Sequence, residues 1–245
     1  MLESHKVALV TGATGGIGQA IAKRLAKENF IVAVHYAGNA DKASTVVEEI
    51  VTHGGMAMSI QANIKSNASV KNMFDEVSQL KGVIDVVVHS AGIMPMAKIE
   101  PENIDTFHNV IDTNLTGAFL VLAEAAKRIS SGGRIIALSS SVVAKNFPNY
   151  GPYIASKLGV EGLVRVLANE MKGRNINVNA VSPGPTGTDL FFEGKSDEQI
   201  EWFKNQTPLN RIGTPEDIAS VVSALVADNG SWINGQIIRV NGGFA

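Results

Sequence analysis

Short apolar runs alternate with longer stretches in which apolar positions recur every three or four residues, along almost the whole chain. The runs Val7–Val10, Ile31–His35, Met56–Ile60, Val83–Val88, Arg134–Leu138, Ile176–Ala180 and Ile237–Val240 predict strands. Several are continuously apolar, the pattern of strands covered on both faces. The stretches 16–28, 40–53, 67–80, 101–128, 152–171 and 215–227 predict helices. Thr214, followed by Pro215 and by Asp217 at the third helical position, marks a helix start. Ser196 with Gln199 three residues on is a capping-box pattern, which places a short helix inside the segment 186–207. Regular strand–helix alternation predicts an α/β fold: a doubly wound parallel sheet of about seven strands, joined by right-handed crossovers, with helices on both faces. No linker, repeat or biased stretch interrupts it, so residues 1–245 read as one domain.

Composition narrows the functions available. A chain of 245 residues, 45% of them hydrophobic and 18% charged, suits a single globular domain. Its net charge of −2 gives no electrostatic case for nucleic acid or for an anionic membrane. There is no cysteine, which excludes disulfides, thiolate nucleophiles and Cys-ligated metals. His5, His35, His53, His89 and His108 lack metal-ligand spacing, so no metal is expected. The first predicted strand begins near Lys6, leaving no room for a signal peptide, and no apolar run has the length of a membrane span. The expected location is cytoplasmic.

Directly after the first strand comes Thr11-Gly12-Ala13-Thr14-Gly15-Gly16-Ile17-Gly18. A glycine-rich turn from strand into helix lets the backbone approach a pyrophosphate, and the helix N-terminus supplies free N–H groups and positive partial charge. Its place in the first βαβ unit is the context that gives such a motif meaning, and it makes the fold Rossmann-type. The second strand bears on cofactor choice. An acidic residue at its end would bond a ribose 2′-hydroxyl and repel a 2′-phosphate. Here it runs out through His35-Tyr36-Ala37-Gly38-Asn39, with no carboxylate before Asp41. This favours NADP(H) over NAD(H), with His35, Tyr36 and Asn39 as candidate phosphate partners, although no arginine or lysine occupies the turn or the strand end.

Tyr153 and Lys157 stand four residues apart in Tyr153-Ile154-Ala155-Ser156-Lys157, so on a helix both side chains share one face. A phenol titrates near pH ~10. A neighbouring ammonium favours the phenolate, so the spacing predicts a tyrosine of lowered pKa that can exchange a proton.

With these motifs in order, the chain resembles the short-chain dehydrogenase/reductase family from about Lys6 onward. Thr11–Gly18 matches the family's TGxxxGxG turn, His89-Ser90-Ala91-Gly92 its strand-four signature, and Asp112-Thr113-Asn114 its helix asparagine. Ser140 corresponds to the catalytic serine, Tyr153–Lys157 to YxASK, and Pro183-Gly184 with Thr186 and Thr188 to the PG motif. The resemblance implies catalysis by Asn114, Ser140, Tyr153 and Lys157. Tyr153 would donate the proton, Ser140 would orient the oxygen, Lys157 would tune Tyr153 and bond the nicotinamide ribose, and Asn114 would hold a relay water. It also implies cofactor contacts from Gly12, Thr14, Gly15, Gly16, Ile17, Gly18, Asn63, Ile64, Ser90, Ala91 and Gly92, joined by Tyr153, Lys157, Pro183, Gly184, Thr186 and Thr188. Two departures stand out. His89 and Ser90 replace the usual asparagine pair, and Asn63 stands where an aspartate is common. The resemblance further implies a homotetramer pairing the long helices 101–128 and 152–171 and the last strand region.

Substrate choice in such folds lies in loops beyond the strand ends. Met94, Val142, Tyr150 and Phe191 are the candidate lining residues. Segment 186–207 with Phe191, Phe192, Trp202 and Phe203 reads either as an apolar lid or as ordinary helix packing. The nearest subgroup resemblance is to 3-oxoacyl-(acyl-carrier-protein) reductases and broad-range relatives. An acidic carrier protein needs a basic rim, for which Lys127, Arg128, Lys172 and Arg174 are candidates. A ketone reductase running on NADP(H) is the preferred reading, the carrier-protein enzyme is the alternative, and a non-catalytic nucleotide-binding regulator is the reading from another class.

Overall fold

In the computed structural model, residues 5–80 and 83–245 are described; residues 1–4, 81 and 82 of the expected single domain lie outside them. The strands are β1 (Val7–Thr11), β2 (Ile31–Tyr36), β3 (Met56–Gln61), β4 (Ile84–His89), β5 (Ile129–Leu138), β6 (Asn177–Pro183) and β7 (Ile237–Val240). They form one seven-stranded parallel sheet in the order β3-β2-β1-β4-β5-β6-β7. The order reverses between β1 and β4, and the crevice above that switch point is where ligands of such sheets bind.

The helices are α1 (Gly16–Lys27), α2 (Ala40–Thr52), α3 (Asn67–Ser78), α4 (Ile104–Ile111), α5 (Gly117–Arg128), α6 (Gly151–Glu170), α7 (Asp189–Phe192), α8 (Asp197–Asn205) and α9 (Pro215–Val226). On one face α3, α5 and α6 bury Phe74, Val121 and Val160 against the sheet. On the other, α1, α2 and α9 bury Ile21, Val46 and Val222. Strands with apolar side chains on both faces are thereby covered on both, as continuous apolar runs require. Both helix-start patterns form complete capping boxes, Ser196 with Gln199 on α8 and Thr214 with Asp217 on α9.

Three expectations change in detail. The helix expected over 101–128 is divided: a 3₁₀ turn at Pro101–Asn103 leads into α4, and a π turn at Asp112–Thr116 joins α4 to α5. The wider π turn accommodates one extra residue and leaves Asn114 buried. Strand β5 begins five residues earlier than Arg134, at Ile129, with an irregularity opposite Ile84–Val86. Strand β6 runs on to Pro183, carrying the Pro-Gly motif to the sheet's upper edge.

Candidate active site

A cavity of about 480 Å³ opens over the C-terminal ends of the strands. Gly12, Thr14, Gly15, Gly16, Ile17 and Gly18 line one end of it. Gly12 has φ +65, and a Cβ there would lie 2.7 Å from the Ala91 Cα. A Cβ on Gly16 would lie 2.6 Å from the Thr188 Cγ2, and one on Gly18 would overlap the Gly12 carbonyl. The turn is therefore bare main chain leading into a twelve-residue helix with Gly15 at its N-cap, a cradle whose shape and N–H donors fit a pyrophosphate. Asn63, Ile64, Ser90, Ala91, Gly92, Pro183, Gly184, Thr186 and Thr188 line the same cavity.

The strand-two candidates are placed differently from expectation. His35 touches the cavity but is 1% exposed, with both ring nitrogens engaged. Its Nδ1 accepts from the Gly12 N–H at 3.0 Å and its Nε2 donates to the Ala62 carbonyl at 3.1 Å. Burial pushes its pKa down, so it stays neutral, and its ring braces the turn from behind. Tyr36 packs against the α1/α2/α9 core, and Asn39 caps α2 through its Oδ1 on the Lys42 N–H at 2.9 Å. Neither is among the residues lining the cavity; Ala37 and Lys65 are. Lys65 is a cation that strand-end reasoning had no means to find, since it arrives from the loop after β3.

His89 remakes the upper sheet as an asparagine would not. Its Nδ1 lies 2.9 Å from the Thr11 Oγ1, which sits 3.2 Å from the Ser90 N and 3.3 Å from the Ala91 N. The Thr11 oxygen accepts those N–H groups, so its own proton points to Nδ1. Burial above all, with the nearby Lys157 ammonium, lowers the His89 pKa to about 3 and keeps it neutral.

Tyr153 and Lys157 are both buried on α6 and both line the cavity. The Lys157 Nζ is 5.6 Å from the Tyr153 ring centroid and donates to the Leu138 carbonyl at 2.8 Å. Ser140 lines the same cleft, and its hydroxyl lies near enough to Tyr153 to favour the phenolate. Its neighbours face elsewhere: the Ser139 Oγ donates to the Glu161 Oε1 at 2.7 Å, and the Ser141 Oγ to the Ser182 carbonyl at 2.9 Å. The expected lowering of the Tyr153 pKa is corrected here. Burial raises it to about 12, against the opposing effect of the Ser140 hydrogen bond. Burial also lowers Lys157 to about 8. At neutral pH the site thus holds a protonated phenol beside an ammonium, a state suited to giving up a proton.

Asn114 is clamped to the loop that carries Gly92. Its Oδ1 accepts from the Ile93 N–H at 2.8 Å, while its Nδ2 donates to the Ile93 carbonyl at 2.8 Å and to the Ser156 Oγ at 3.2 Å. Both amide donors are engaged, which leaves one Oδ1 lone pair. A Cβ on Gly92 would lie 3.2 Å from that oxygen and 3.6 Å from the Lys157 Nζ, so glycine keeps the space between them clear.

At the other end of the cavity stand Met94, Val142, Tyr150 and Phe191, with Phe147, Leu190, Phe203 and Phe244. The aromatic side chains of segment 186–207 belong to both readings offered by the sequence. Phe191 and Phe203 line the cavity, whereas Trp202 packs edge-on against Phe147 with centroids 5.8 Å apart.

Residues 12–245 match the family described as Enoyl-(Acyl carrier protein) reductase. The chain is 40% identical to the NADPH-dependent aldehyde reductase-like protein, chloroplastic, of Arabidopsis thaliana, over 98% of this chain and 94% of that one. This chain is a short-chain dehydrogenase/reductase. It is 43% identical to the 3-oxoacyl-[acyl-carrier-protein] reductase FabG of Staphylococcus aureus (strain Mu50), over 99% of each chain. Its fold superimposes with a TM-score of 0.90 on the angucycline C-6 ketoreductase LanV with bound NADP, at 32% identity over 98% of this chain and 95% of that one. As a short-chain dehydrogenase/reductase it is an oxidoreductase.

Two further observations concern this short-chain dehydrogenase/reductase in particular. The basic rim considered for a carrier protein lies at the wrong end of the sheet. Lys127 and Arg128 close α5 just before β5 begins, and Lys172 and Arg174 precede β6, so all four flank the N-terminal ends of strands. Arg128 is also paired with Asp75 and Glu124, and Arg174 with the Ala126 and Ile129 carbonyls. Among the described residues, no cluster of three His, Asp or Glu side chains can hold a metal, and no helix is long and apolar enough to cross a membrane.

Proposed function

We propose that this protein reduces a ketone with NADPH, or oxidises the corresponding secondary alcohol, with Tyr153 as general acid and base. The observation that carries this reading is that Ser140 and the buried Tyr153 and Lys157 share the wall of a cavity continuous with the glycine-rich turn. When bound, NADPH supplies the hydride to the carbonyl carbon. The glycine turn holds the pyrophosphate, and Ser90–Gly92, Pro183, Gly184, Thr186 and Thr188 flank the nicotinamide end. Ser140 and Tyr153 hold the carbonyl oxygen between their hydroxyls, preorganised donors at the atom where negative charge develops. Tyr153 gives its proton to that oxygen. The Lys157 ammonium stabilises the phenolate left behind and bonds the ribose hydroxyls. A water between the Asn114 Oδ1 and Lys157 would resupply the proton.

NADP(H) is preferred over NAD(H) because Lys65 lines the cavity and no carboxylate does. The NADPH-dependent Arabidopsis relative and the NADP-bound ketoreductase support the same choice. The FabG relatives favour 3-oxoacyl-(acyl-carrier-protein) reduction as the second reading; the misplaced basic residues weigh against it. We further propose a homotetramer. Ile104, Phe107, Phe119, Leu158 and Val166 leave apolar side chains exposed on α4, α5 and α6, and Trp232 is 97% exposed near β7. Such patches favour self-association.

The test is turnover of purified protein with NADPH and with NADH, against free ketones and acyl thioesters in parallel. The expected result is ketone reduction faster with NADPH. Preference for thioesters would move the assignment to the second reading, and tight NADPH binding with no turnover of any carbonyl would make the protein a nucleotide-binding regulator.

A further inference from the structure

Phe244 follows β7, yet its ring lies in the substrate end of the cavity and is 4% exposed. It is the meeting point of three segments that are remote in sequence. Phe147, from the loop after Ser140, packs against it with centroids 6.2 Å apart. Phe203, from α8, packs at 6.0 Å. The Lys145 Nζ lies 4.7 Å from its ring centroid, a cation over an aromatic face. Phe147 and Phe203 also touch each other edge-on at 5.9 Å, closing a triangle of rings.

The backbone that delivers Phe244 is specified as well. Gly242 and Gly243 have φ of +60 and +88, and a Cβ on either would meet Thr207 or Pro208, just beyond α8. The Asn241 Nδ2 donates to the Ser141 Oγ at 3.0 Å, joining the segment after β7 to the residue beside Ser140. The segment Asn241–Phe244 therefore binds the Ser140 loop and the end of the lid segment to one another.

We propose that Phe244 is a specificity-determining residue of the carbonyl site, and that the site takes carbonyl compounds bearing an aromatic or similarly flat apolar group. The inference rests on the ketone-reductase reading above. Phe147, Phe203 and Phe244 present rings in three orientations, and Met94, Val142 and Leu190 complete an apolar surround. A substrate ring entering this space meets aromatic edges and faces, the arrangement in which aromatic pairs attract beyond simple area burial. The polar groups on this side are hydroxyls of Ser140, Tyr150 and Tyr153. They suffice to hold one carbonyl oxygen. They do not serve the amide-rich arm of a carrier-bound thioester, whose buried polar groups would go unpaired.

The experiment measures kcat/KM for methyl naphthyl ketone and for butanone, with saturating NADPH, in the wild type and in Phe244→Ala and Phe244→Leu. The expected result is that the ratio of the two values, high in the wild type, falls by about 10–100-fold in Phe244→Ala, mainly through KM for the aromatic ketone, and by less in Phe244→Leu. Should Phe244→Ala fail to fold, the Phe244→Leu ratio carries the test. An unchanged ratio overturns the proposal, including the case in which both ketones lose rate equally, because a bracing role alone slows every substrate alike. A wild type that prefers butanone also overturns it while leaving the reductase reading intact. A wild type that binds NADPH but reduces neither ketone nor any other carbonyl overturns the reductase reading, and the inference with it.

Discussion

At the nucleotide end of the cleft the wall is mostly main chain. Gly12, Gly16 and Gly18 bring backbone within contact distance of Ala91, Thr188 and the turn itself, and the buried His35 and Thr11 hold that backbone from behind. At the carbonyl end the wall is side chain, assembled from the Met94 loop, the 142–150 segment, α7, α8 and the segment after β7. The first arrangement tolerates little substitution, because an added carbon at Gly12 or Gly18 meets backbone and one at Gly16 meets the Thr188 side chain. The second changes shape with each ring exchanged, without disturbing the sheet beneath. A fold built this way keeps its cofactor chemistry fixed and leaves its substrate range to a few side chains, as ligand sites carried on loops above a rigid sheet allow.

Substitutions at the two ends should therefore differ in kind. The largest effect is expected for Gly12→Ala, where positive φ and a close backbone neighbour combine. Stability should fall by about 2–4 kcal/mol in urea denaturation, and NADPH affinity by tenfold or more. Unchanged nucleotide affinity would show that the turn is not the cradle described. Next in size is the pH dependence of reduction. Lys157 must be charged to support Tyr153, and its pKa is lowered to about 8. The rate should fall roughly tenfold per pH unit above that value. Unfolding does not explain such a fall. From about 8 to the ordinary 10.5 the unfolded chain binds more protons at Lys157, so this group makes the folded state more stable as pH rises. A rate flat to pH 10 would remove Lys157 from the mechanism.

Smaller again, Phe203→Ala should raise KM for an aromatic ketone about tenfold by opening the lid side of the ring triangle, with NADPH affinity in a fluorescence titration held. Loss of NADPH affinity instead would mean that the two ends of the cleft are not separable. The smallest effect should come from Thr214→Ala, which removes the α9 cap outside the cavity lining and should cost about 1 kcal/mol in thermal or urea unfolding. Its kinetic constants should match the wild type.

The contrast between the two ends also explains what the sequence made legible. The sheet, the glycine turn and the capped helices follow from local rules of period, turn chemistry and capping, so each could be read from a few adjacent residues. The strand-two residues were only partly legible, because burial and neighbours decide their contacts. His35 looks like a phosphate partner by position and is a support for Gly12 by contact. The lowered pKa expected for Tyr153 came from counting its cation alone; in the folded cleft, desolvation raises it. Phe244 and Lys65 escaped notice for a related reason. They reach the site through tertiary packing from segments remote in sequence, and no short-range pattern records that.

The central claim is that Tyr153 is the proton donor in a cleft that binds the cofactor independently of it. Single-turnover reduction of a ketone by Tyr153→Phe, with NADPH binding titrated in the same preparation, tests this most directly. The account predicts a rate lower by a factor of about 10²–10⁴ at nearly unchanged NADPH affinity. A variant that reduces the ketone at the wild-type rate would contradict it.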